Sequence, residues 1–92
     1  MYFILTYATG DDYIERRASL RNLHLALAKE YHEKGLLLMG GALADPADKA
    51  VLIFKCQDKA VVENFALKDP YVQKGVIASW EVREWTVVIG EI

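Results

Sequence analysis

The spacing of apolar residues changes period along this chain, and that change limits the folds open to it. Residues 2–8 (YFILTYA) are rich in aromatic and β-branched side chains and read as a first strand, buried on at least one face. Thr9-Gly10-Asp11-Asp12 breaks the run and offers Asp11 or Asp12 as a helix N-cap. Residues 13–34 read as one long helix, with Gly35 where a C-cap belongs. Residues 36–43 (LLLMGGAL) form a second strand interrupted by Gly40-Gly41, which predicts a bulge or a close approach by backbone or ligand. A turn over residues 44–48 joins it to a third strand, residues 50–56, as an antiparallel hairpin.

Asp58 caps a second helix, residues 59–67, whose inner side is Val61, Val62, Phe65 and Ala66. Asp69-Pro70 ends that helix and starts a further short turn, closed by Gly75. Residues 76–89 read as one strand about twice the usual length, which predicts a bulge near Glu84 or an extension beyond its own sheet.

The order is β-α-β-β-α-β. Two right-handed crossovers put both helices on one face of a four-stranded antiparallel sheet, an α+β, ferredoxin-like fold. No repeat or linker interrupts residues 1–92, so a single domain is expected. The other sheet face would be bare. With 53% of residues hydrophobic in so short a chain, a second copy packing sheet on sheet is the expected cover, giving a homodimer.

Charge and cysteine content exclude several function classes. A net charge of −2 with mixed signs leaves no basic footprint for nucleic acid. No window is long enough for a membrane span, and the opening MYFILTYATG lacks a cationic leader. The lone Cys56 permits no internal disulfide, fits a reducing compartment and is expected to pack in the core. A cytoplasmic protein is expected.

Chemistry is concentrated in the first helix. Leu20, Leu23, Leu27 and Tyr31 share an apolar stripe at 100° per residue, and His24 lies beside it. Arg17 and Arg21 border the same sector and supply paired N–H donors for a carboxylate or phenolate. Surface ion pairing accounts for them equally well: Arg17 with Tyr13 or Asp12, Arg21 with an acid four residues away. His24 is a natural proton carrier at neutral pH if a carboxylate fixes its tautomer, and Asp69 is the candidate partner. A half-buried ring bonded to backbone and an Asp-Pro helix start explain the same residues without chemistry. Gly41 and Tyr71 are further candidates for lining a pocket. His32 is expected to face solvent near the helix end. The histidines and Cys56 are not at metal-ligand spacing, and no nucleotide-binding or nucleophile-elbow motif is present, so no metal or cofactor is expected.

Three segments carry a resemblance: R-x-x-H-L at residues 21–25 preceded by Arg17, GGAL at residues 40–43, and D-P-Y-V at residues 69–72. Together with the first strand MYFILTYA and the closing W-x-V-x-x-W, they resemble the YciI-like (YCII-related) family over nearly the whole chain. The resemblance implies ferredoxin-like chains dimerised into an α/β barrel. It also implies a His-Asp pair in a pocket, falling here on His24 and Asp69.

The leading functional expectation is a cofactor-free enzyme of isomerase or lyase type. In it His24, oriented by Asp69, moves a proton on a small cyclic or aromatic hydroxylated or anionic metabolite, held by Arg17, Arg21, Gly41 and Tyr71. A non-catalytic small-molecule-binding dimer is the alternative, and a purely structural dimer the third.

Overall fold

The computed structural model describes residues 1–91. Its elements are β1 (Tyr2–Thr9), α1 (Tyr13–Arg17), α2 (Arg21–Glu33), β2 (Leu37–Ala42), β3 (Lys49–Lys55), α3 (Lys59–Lys68), α4 (Pro70–Gln73) and β4 (Ile77–Trp85). The strands form one antiparallel sheet in the order β2-β3-β1-β4, the ferredoxin-like arrangement, with β1 and β3 at the centre.

Strand alternation builds the core. Phe3, Leu5 and Tyr7 point inward from β1, opposite Phe54, Leu52 and Ala50 of β3, and all six are buried. Against them α2 and α3 lay Tyr31, Val62, Phe65 and Ala66. Tyr31, Phe54 and Phe65 meet edge to face, with ring centroids 5.0 Å (Tyr31–Phe65), 5.2 Å (Phe54–Phe65) and 6.4 Å (Tyr31–Phe54) apart. Cys56 is buried with this cluster. The opposite face carries Ile4, Thr6, Val51 and Ile53, all half-buried, with Met39 and Trp85 exposed at its margins.

Two local expectations about the first helix are corrected. The long first helix is two helices, because the turn at residues 18–20 replaces the regular ladder with shorter bonds, Leu20 N–H to the Arg17 carbonyl among them. That turn lets Tyr13 from α1 and Leu20 from the start of α2 both reach the core. Leu23 points outward and is 63% exposed, so the inward stripe of α2 is Leu20, His24, Leu27 and Tyr31. Asp12 occupies the N-cap of α1 as expected, in the left-handed region (φ 56°), with no side-chain bond; its carbonyl accepts the first helical bond, from Arg16 N–H.

The last strand also stops early. β4 pairs with β1 from Ile77 opposite Thr9 to Trp85 opposite Tyr2, where β1 runs out and residues 86–89 have no ladder to join. The register shift lies at Ala8/Thr9, at the far end from Glu84. Gly40 and Gly41 follow a further register shift, between Leu37 and Met39.

Candidate active site

The end of α3 fixes the carboxylate. Asp69 closes α3 and opens α4, and Pro70 supplies a pre-set backbone angle at the first position of the new helix. Its Oδ1 accepts from Tyr71 N–H at 3.0 Å, as an N-cap side chain should. Asp69 is nevertheless completely buried, a rare state for a carboxylate unless its lone pairs are occupied.

Two further donors occupy them. The Tyr7 hydroxyl donates to Oδ2 at 2.8 Å, and His24 Nδ1 lies 2.9 Å from Oδ1 and 3.0 Å from Oδ2. A nitrogen facing an ionised carboxylate carries the hydrogen, so Nδ1–H donates and Nε2 is left as the basic nitrogen of the ring. The His24 side chain is 16% exposed. Tyr71 stacks on its face, ring centroids 3.9 Å apart and 8° from parallel, and Tyr13 meets Tyr71 edge-on at 6.3 Å. The imidazole is therefore held at its edge by Asp69 and on its face by Tyr71.

Both phenols in contact with this group resist ionisation. Burial pushes the Tyr7 phenol far up, and the negative charge and hydrogen bond of Asp69 push it further, so Tyr7 serves as a neutral donor. Burial also raises Tyr71, with Tyr13 adding to the effect and Arg21 and Arg17 opposing it. The Tyr71 hydroxyl is buried and has no hydrogen-bond partner.

His24 opens onto a groove of about 650 Å³ between α2 and the edge strand β2. Arg17, Arg21, Gly41 and Tyr71 all line it, so the structure brings every residue singled out for binding to one concavity with the His24–Asp69 contact. Arg17 does pair locally with Tyr13, donating to its hydroxyl at 3.3 Å and lying 5.0 Å from its ring centre. Arg21 has no acid four residues away and no ion pair among the described residues. A Cβ on Gly40 would lie 3.1 Å from Leu52 Cγ, whereas Gly41 faces open space. His32 is exposed, as expected, yet its Nδ1 bonds the Leu37 carbonyl at 2.8 Å and its ring lines the far end of the groove.

Tyr7 is the residue that sequence reasoning missed. In the alternation of β1 it reads as one more inward aromatic. The available signal was its hydroxyl: an inward Tyr where Phe would fill the space implies a buried polar partner. No group of three or more His, Cys, Asp or Glu able to hold a metal occurs among the described residues.

A four-stranded antiparallel sheet covered on one face by helices, with this groove between α2 and β2, defines the class. The chain belongs to the YCII-related domain family, whose model matches residues 1–86. Among solved structures it is similar to 5-chloro-2-hydroxyhydroquinone dehydrochlorinase from Burkholderia phenoliruptrix AC1100, solved in complex with 2,5-dihydroxybenzoquinone. The two share 20% identity over 94% of each chain, with a TM-score of 0.80. No curated protein matches the chain in sequence.

Proposed function

We propose that this chain is a cofactor-free enzyme of isomerase or lyase type acting on a small hydroxylated, anionic ring compound. One observation carries the reading: a histidine locked by a buried carboxylate on the wall of an arginine-lined groove. Asp69 holds the Nδ1–H tautomer, so Nε2 takes a proton from a bound ring carbon or hydroxyl. Arg17 and Arg21 hold the oxyanion that develops as the proton leaves. The proton then returns at another atom, or departs with a leaving group displaced from the neighbouring carbon. The structural neighbour removes chloride from a chlorinated hydroxyhydroquinone, which is elimination of this kind on a ring of this kind.

The test is turnover of hydroxyhydroquinones and ring-hydrogen exchange in deuterated water, followed by proton NMR. A positioned general base contributes about 10²–10⁴-fold, so His24→Gln should lose that much while the folded chain persists. Equal rates in wild type and variant would overturn the proposal. Ligand bound by the wild type and recovered chemically intact would favour a binding module instead.

We also propose that the exposed sheet face is covered by a second copy, closing an α/β barrel. Four half-buried aliphatic and threonine side chains at the centre of that face support this reading.

A further inference from the structure

The groove is longer than a single-ring substrate requires. A cavity of about 150 Å³ already accommodates benzene, and this groove has about 650 Å³. It follows α2 from Arg21 to His32. From His24 to His32 alone is eight residues, about 12 Å at 1.5 Å per residue.

The two ends and the middle differ in character. At the inner end are Arg17, Arg21 and the buried, unpartnered Tyr71 hydroxyl. The middle is apolar: Leu25 and Ala28 line it, and Leu25 stands 46% exposed to solvent. At the outer end are Lys29 and His32. His32 Nδ1–H donates to the Leu37 carbonyl, so Nε2 of the neutral ring carries a lone pair and Lys29 is the donor at this end. Lys29 lies 3.9 Å from Glu33, an exposed pair that a ligand can displace at little cost. None of the residues lining the groove is Asp or Glu, although the chain carries 13 acidic residues against 11 basic ones. Its charge is therefore complementary to anions at both ends.

We infer that the natural ligand is an elongated molecule with two anionic ends: a ring oxyanion between Arg17, Arg21 and the Tyr71 hydroxyl, and a carboxylate or equivalent group at Lys29, joined by an apolar spacer along Leu25 and Ala28. The inference rests on the reading of the groove as the substrate site, and it extends that reading from ring class to ligand length and charge.

The experiment is calorimetric binding of para-hydroxyphenyl acetate, butanoate and hexanoate, with the hexanamide as uncharged control. Burying the added methylenes and reaching Lys29 should tighten binding about tenfold or more from acetate to hexanoate. The hexanamide should lose much of that gain. Lys29→Gln should weaken the hexanoate roughly fivefold and leave the acetate unchanged. Affinity independent of chain length, equal affinity for acid and amide, or no binding by any probe would each overturn the inference. The tautomer of His24 reports the catalytic reading separately. Lost length preference with the ring still in its Nδ1–H form overturns only the ligand, and the converse overturns only the proton transfer.

Discussion

Tyr7, on a central strand, donates its hydroxyl hydrogen to Asp69, 62 residues further along the chain, at 2.8 Å. That bond ties the sheet to the junction between α3 and α4. It also leaves Asp69 with two firm donors, Tyr7 and Tyr71 N–H, besides His24. The carboxylate is fixed before the imidazole meets it.

Removing the Tyr7 hydroxyl should therefore be felt twice. Hydrogen bonds to charged groups contribute about 1.5–3 kcal/mol, so Tyr7→Phe should lower unfolding stability by about that much in urea titration. Turnover should fall as well, because Asp69 and with it His24 lose one anchor. A variant as stable as wild type would contradict the account of how Asp69 tolerates burial.

The same phenol makes stability sensitive to alkali. Tyr7 has its folded-state value raised above the unfolded value near 10, so the folded chain holds that proton more tightly than the unfolded chain does. The contribution is fully present below about pH 10 and declines as pH rises further, by up to about 1.4 kcal/mol per pH unit. Thermal melts between neutral pH and strong alkali should show the decline in wild type and a shallower one in Tyr7→Phe.

Substitutions at Asp69 separate capping from chemistry. Asp69→Ala removes the cap and strands Tyr7 and His24 in the interior, and breaking a buried pair in this way costs about 3–5 kcal/mol. Asp69→Asn keeps an acceptor for Tyr71 N–H and should cost far less stability, while removing the anionic acceptor that holds hydrogen on His24 Nδ1. Denaturant titration and turnover should thus rank the two variants alike in activity and far apart in stability.

The sequence was most legible where one physical rule acts alone. Strand-forming composition and turn residues located β1 and β3 without further help. Helix periodicity brought His24 to the inner side of α2, and the Asp-Pro start put a carboxylate at the α3–α4 junction. What did not show was where elements break or end, and which strand side chain meets Asp69, because distant residues set these. The end of β4 depends on where β1 begins, because residues past Trp85 have no opposing strand. The break at residues 18–20 depends on Tyr13 and Leu20 sharing one core. The role of Tyr7 depends on Asp69, which no local pattern in β1 discloses.

The bare sheet face gives a direct test of assembly. Ile53 sits at its centre, paired with Ile4. Ile53→Glu would bury two like charges at a two-fold interface, and sedimentation should show a dimer in wild type and a monomer in the variant. A wild-type monomer would contradict the barrel.

The most direct test of the central claim is nitrogen-15 NMR of the His24 ring at neutral to mildly alkaline pH. The geometry predicts hydrogen on Nδ1, coupled to Asp69, and a bare Nε2 facing the groove, with this preference lost in Asp69→Ala. A wild-type ring carrying its hydrogen on Nε2 would leave no base in the groove and would contradict proton transfer by this pair.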